Sequence, residues 1–351
     1  MPVYNKKLKL FSTIIVLIVA CLISYYFISC FSRRPIIYDK TLVKNLDQQN
    51  ITIILGGCRK WGLYPFVADA CMIGFTGLFD PLKNRFIWKK FILDYPRDIA
   101  FLKSIGQCAE IQSHKVVIRA IKNGKILAKI GPTITKAIAY SPDGKYLMLG
   151  DIEGLVKIFD TKSFATIRTL NFPKYITSIS FDNKYGFIAV SCGDKLVHII
   201  DQKDFHEIHS IEEIFQLDTK TKFSQDGKLF AIYNEPIMKI IAVPLFTFLF
   251  KIEPYNANGI EFSNDGKYFF TSKTGEPIEM WDVAKQDKIR STSEVASRNI
   301  SFTKDGKYFS AADVTDAGKI SILFWRSDFT IVRKNWLPDG YNVYFSYIIE
   351  E

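Results

Sequence analysis

Histidine and cysteine are the side chains with most chemistry to offer, and this 351-residue chain has four of one and six of the other. His206 and His209 fall together in DFHEIH, a stretch that reads as an outer strand. Odd spacing on a strand sends two side chains to opposite faces, which argues against a shared metal ion. Cys58, Cys71, Cys108 and Cys192 lack C-x-x-C spacing, so small buried apolar roles are expected for them. A Cys58–Cys71 disulfide is the alternative should the domain face an oxidising compartment. No phosphate-cradling glycine loop, nucleophile elbow or haem-attachment sequence is present. The expectation is therefore no catalytic residue, no cofactor, no metal and no enzyme.

Composition narrows the class. Hydrophobic residues make up 48% and aromatic residues 15%, with a mean hydropathy of +0.06, which excludes a disordered chain. Leu10 to Phe31 is a run of 22 residues without a charge, and it is the one stretch able to cross a bilayer. Lys6, Lys7 and Lys9 precede it, Arg33 and Arg34 close it, and Tyr25, Tyr26 and Phe27 sit near its far end. The expectation is an uncleaved single-pass anchor over 10–31, after a basic tail (1–9) and before a linker (32–50). Three alternatives stand beside it: a cleaved signal peptide, which usually has a shorter apolar region, lipidation at Cys21 after Ile18-Val19-Ala20, and a buried core helix, which the terminal position and basic flanks argue against. The short tail places the large domain on the extracytoplasmic side.

An internal repeat organises the remainder. The segments AIAYSPDGKYLML (137–149), SISFDNKYGFIAV (178–190), TKFSQDGKLFAI (221–232), GIEFSNDGKYFFT (259–271) and NISFTKDGKYFSA (299–311) align. Their aromatic anchors, Tyr140, Phe181, Phe223, Phe262 and Phe302, are spaced by 41, 42, 39 and 40 residues, and Phe101 begins a fainter copy. Asp160, Asp201 and Asp282 each follow an anchor by 20 residues. Alternating apolar residues predict half-buried strands, and Asp-Gly between two such runs predicts a hairpin. Asp182-Asn183 stands in where that glycine is missing. Four short strands per forty residues cannot bury both faces of a sheet alone. Radial stacking of such sheets can, so the repeat predicts a β-propeller.

SPDGKYLMLGDIEGLVKIFDTKS (141–163) and SNDGKYFFTSKTGEPIEMWDVAKQ (263–286) resemble the repeat of the WD-repeat family, Trp281-Asp282 included. The resemblance covers about residues 98–338 and implies a propeller of divergent, WD-like type. The chain departs from that family by having no opening Gly-His and a single Trp-Asp, so the family's His-Asp-Ser-Trp hydrogen-bond network is not expected. Six anchors plus a weaker unit at 51–93 predict seven four-stranded blades over 51–351. The alternating tail 341–351 is expected to close the ring by joining the first blade.

The repeat assigns charges to rims. One rim collects Lys145, Lys184, Lys228, Lys267 and Lys307 from the hairpin turns, and the other collects Asp151, Glu153, Asp194, Glu235, Glu276 and Asp313. These rims are the candidate interaction surfaces. The overall charge of +10 is less telling, because residues 1–34 hold five basic and no acidic residues. The rest holds 41 basic against 36 acidic. Aromatics sit at strand positions expected to be buried, which argues against nucleic acid as a partner. The leading expectation is a membrane-anchored interaction platform for an unidentified protein. The alternatives are a propeller enzyme (lactonase-like or quinone-dependent) with its site at the channel, and a lipoprotein subunit of an envelope assembly complex.

Overall fold

A computed structural model describes residues 36–37, 51–60, 71–92, 96–212, 218–234, 236–253, 259–273, 276–296, 300–303, 305–314, 320–326, 331–336 and 341–350. The anchor expected over 10–31, and Cys21 with it, lies outside these residues. Among the described residues no helix is long and apolar enough to cross a membrane, and the helical content is one 3-10 turn, Lys103–Ile105. Everything else with regular structure is antiparallel sheet.

The sheets form a propeller in which consecutive strands pair with their sequence neighbours. Six sheets have four strands each, and a further sheet has five because Ile36–Ile37 adds to the edge strand Ile331–Trp336. The expectation of seven four-stranded blades is corrected accordingly: six blades are four-stranded, and the remaining sheet departs by its added edge strand. The sheet of Ile51–Lys60, Cys71–Asp80 and Arg85–Ile92 takes its fourth strand from the far end of the chain. Tyr341–Glu350 pairs antiparallel with Ile51–Lys60, Ile51 opposite Glu350.

Period-two alternation gives each sheet two apolar faces. In Leu229–Asn234, Leu229, Ala231 and Tyr233 pack with Ile260, Phe262 and Phe269 of the following sheet. Phe230 and Ile232 pack with Ala189, Val197 and Ile199 of the preceding one. Each interface is thus a small core of its own. Gly150 allows one such approach, since a Cβ there would lie 2.5 Å from Ile176 of the next sheet. One buried charge pair between sheets is fully hydrogen-bonded. Arg119 donates to Glu110 through Nε (3.0 Å) and Nη2 (2.8 Å), Gln112 donates to the same carboxylate, and Thr76 of the neighbouring sheet donates to its other oxygen. Burial of this charge pair is tolerable because its hydrogen bonds are met.

The Asp-Gly-Lys turns share one hydrogen-bond pattern. Ser141, Ser224, Ser263 and Thr303 each donate from the hydroxyl to Asp143, Asp226, Asp265 and Asp305, at 2.7 Å in all four. The same hydroxyl accepts the backbone N–H five residues on, from Tyr146, Leu229, Tyr268 and Tyr308. The aspartate accepts the lysine N–H, an Asx turn that pre-forms the hairpin. Gly227 takes φ 70° in such a turn, a region a side chain would disfavour. The turn without Asp-Gly is built differently from expectation. Asp182 occupies the serine position, donated to by the Lys184 and Tyr185 N–H groups, and the left-handed glycine is Gly186.

Interblade packing sets the stability. Phe269 is fully buried, clusters with Leu229, Ala231 and Phe250 of the preceding sheet, and stacks on Trp281 of its own sheet at 5.9 Å. Phe269→Ala is expected to cost about 3–5 kcal/mol, read from urea denaturation. A loss under about 1 kcal/mol would contradict an interface packed this tightly.

Candidate functional site

The anchor aromatics all lie in the innermost strand of their sheets, close to its end: Phe101, Tyr140, Phe181, Phe223, Phe262 and Phe302. These innermost strands surround a central cavity of about 1130 Å³. Among the described residues its lining mixes charged and hydroxyl side chains with aliphatic and aromatic ones. Arg97, Lys103, Lys136, Lys220 and Lys222 contribute five cations against the carboxylates of Asp98 and Glu261.

The charges are held in defined pairs and fields. Lys222 Nζ lies 2.8 Å from Glu261 Oε2, joining the innermost strands of two neighbouring sheets. Burial raises the Asp98 carboxyl above its ordinary range, against the pull of the Ile99 N–H and of Lys220 and Lys222. Between the cations runs a hydroxyl ladder. Ser178 and Ser180 meet Thr221 at 3.1 and 2.9 Å, and Thr177 donates to the Thr219 carbonyl at 2.8 Å. Tyr233 backs this wall, its hydroxyl pushed up by burial and by the nearby Glu261 and Asp98. Such a lumen can hold an anion between ammonium groups and hydroxyl donors. The carboxylates beside it are already engaged by lysine or by burial.

The lumenal residues escaped sequence reasoning. Their signal lies one and three residues before each aromatic anchor, where Lys222, Glu261, Asp98 and Lys220 stand at positions held by Ala137, Ala139, Ser178 and Ser180 in two other repeats. Among the described residues, Asp98 and Glu261 are the carboxylates lining the channel, and no histidine lines it.

The rim residues are placed as follows. Four of the basic-rim lysines reach back to their own turn aspartates: Lys145 to Asp143 (3.2 Å), Lys228 to Asp226 (3.3 Å), Lys267 to Asp265 (3.8 Å) and Lys307 to Asp305 (3.6 Å). Lys184 instead stands over the Tyr185 ring at 4.9 Å. On the other rim, Asp151 accepts the N–H groups of Glu153 and Leu155, and Asp194 accepts that of Leu196. Those two carboxylates brace their own turns, while Glu153 and Glu276 are exposed. Glu235 and the side chain of Asp313 lie outside the described residues. So do the side chains of Cys58 and Cys71, whose backbone positions face Gly74 and Lys60. Cys108 and Cys192 are buried free thiols. His206 is exposed and pairs with Asp204, and His209 stacks on Phe246 at 5.6 Å, so the two histidines do not converge.

No family model matches the chain. One curated relative, uncharacterized protein YncE of Salmonella typhi, is 27% identical over 161 residues, 43% of this chain. The match spans 44% of that protein, less than half its length. Among solved structures, Kuenenia stuttgartiensis hydrazine synthase is similar with a TM-score of 0.55. It shares 15% identity, covering 65% of this chain and 76% of that one. That likeness concerns the fold alone: both are β-propellers.

The turn aspartates generate a pH prediction. Burial alone would raise the carboxyls of Asp143, Asp226 and Asp265, but the serine hydroxyl, the lysine N–H and the lysine charge bring them below the ordinary range. Groups with a lowered folded-state pKa stabilise the fold above their unfolded value and cease to do so as pH falls through the folded one. Stability is expected to decline as pH drops from about 5 toward 2. Replacing all three by Asn should flatten that slope in chemical denaturation, and an unchanged slope would contradict the assignment.

Proposed function

We propose that this chain is a membrane-anchored, WD-like β-propeller that acts as a non-catalytic platform, receiving an acidic segment of a protein partner at its channel mouth. The observation that carries the reading is the charge imbalance among the described residues of the lumen, five cations against two carboxylates. A cluster of one sign in a low-dielectric cleft focuses its field and draws in the opposite charge. The rim lysines are weaker candidates, since four of the five sit beside their own aspartates.

The anchor in this reading is the uncharged run 10–31, long enough for a bilayer and flanked by basic residues. It places the disc on the extracytoplasmic side. A lipid on Cys21 would tether the same disc and leave the role of the channel unchanged. The WD-like assignment rests on the repeat spacing and on Trp281-Asp282. A channel enzyme is the second reading, favoured by Asp98, a carboxyl with a raised pKa beside Lys220 and Lys222.

A photo-crosslinking residue at position 136, introduced in cells, tests the platform. The expected outcome is a discrete protein adduct that is lost when Lys220→Glu and Lys222→Glu are combined with it, and kept in Asp98→Asn. Absence of any adduct, or an adduct indifferent to the charge reversal, would contradict the reading. Loss in Asp98→Asn alone would favour the second one.

A further inference from the structure

A side-chain cluster away from the channel joins Asp194 of the acidic rim to a thiol and an imidazole. Cys192 ends the strand Phe187–Cys192, Asp194 sits in the following turn, and His198 lies in the strand Leu196–Asp201. The register sets Cys192 opposite Leu196 and Val190 opposite His198. Residues two apart share a face, so Cys192 and His198 are diagonal neighbours on one side of the sheet. The Cys192 sulfur, an Asp194 carboxylate oxygen and a His198 ring nitrogen all lie within 4.8 Å of one another.

Each donor is already aimed. Asp194 uses Oδ1 for the Leu196 N–H, which leaves Oδ2 facing His198 Nε2 at 3.1 Å. On the far side of the ring, Glu207 Oε2 lies 3.0 Å from Nδ1. That contact is at ion-pair distance but off the hydrogen-bonding direction, so the buried Nδ1 has no hydrogen-bond partner. The Cys192 thiol donates to the Lys174 carbonyl at 3.2 Å, in the connection that enters this sheet from the preceding one. Phe172 from the same connection covers the imidazole, with ring centroids 5.0 Å apart. Cys192 is 2% exposed and His198 6%.

We propose that Cys192, Asp194 and His198 form a binding site for a divalent transition-metal ion of the zinc type, with Glu207 as the positioning carboxylate behind the imidazole. Sulfur, imidazole and carboxylate together match the ligand preference of zinc, and three protein donors leave a fourth position for water. A carboxylate behind a ligating histidine is the arrangement that fixes ring orientation and raises ligand basicity. The imidazole lies between the carboxylates of Asp194 and Glu207, which offset the charge of a bound dication. Binding breaks the S–H bond, forms S–metal and Nε2–metal bonds, the latter through the ring nitrogen's lone pair, and releases the thiol proton to solvent.

The test uses the full chain in detergent, stripped with chelator and titrated with Co²⁺. Ligand-field absorption with a thiolate-to-cobalt charge-transfer band is expected to saturate at one equivalent, and zinc should displace it. Cys192→Ser and His198→Gln are expected to abolish the charge-transfer band. Glu207→Gln, at a half-exposed position, should keep the spectrum and weaken affinity about 10–100-fold. No thiolate band in the wild-type chain, or a band that persists in folded Cys192→Ser, would overturn the site. If Cys192→Ser does not fold, Glu207→Gln decides: an affinity equal to wild type overturns the proposal.

Discussion

The constraint on which this structure depends is that every sheet has two apolar faces and none can cover both by itself. In Leu229–Asn234 the odd residues bury against the sheet ahead and the even residues against the sheet behind. A sheet of about six-residue strands exposes its edges as well, and stacking around an axis disposes of faces and edges together. The chain's far end serves the same requirement, since Tyr341–Glu350 supplies the strand that Ile51–Lys60 would otherwise leave unpaired. Long-range pairing of this kind makes the first and last segments depend on each other, although almost three hundred residues separate them.

Much of this was legible in the sequence. The aromatic anchors mark the ends of the innermost strands, and the Asp-Gly-Lys tripeptides mark the hairpins, because strand alternation and turn chemistry are local signals. Where the local signal was degenerate, the reading slipped. FDNKYGF supports two alignments, and the hydrogen bonds show that Asp182 stands at the Ser141 position yet accepts the N–H two residues on, as Asp143 does, while Gly186 carries the left-handed conformation. The added edge strand of Ile36–Ile37 could not be foreseen, as two residues carry no periodicity.

The functional residues were less legible for a related reason. Rim lysines are conspicuous because they recur in every turn, yet recurrence here reflects the turn itself, whose aspartate attracts the lysine beside it. Lumenal residues such as Asp98, Lys222 and Glu261 come from three different repeats and meet only when the ring closes. His198 likewise became visible through register, which sets it diagonal to Cys192 across a hairpin. The more obvious pair, His206 and His209, does not converge.

The proposed function has two parts: a charged lumen that receives a partner, and an apolar segment, 10–31, that would hold the propeller at a membrane. Protease added to intact cells, followed by alkaline extraction of their membranes, tests the combination most directly. The account predicts that the propeller is cut away from outside while a short fragment containing residues 10–31 stays in the membrane pellet. A chain that survives intact until the cells are lysed, or that leaves the membranes whole on extraction, would contradict it.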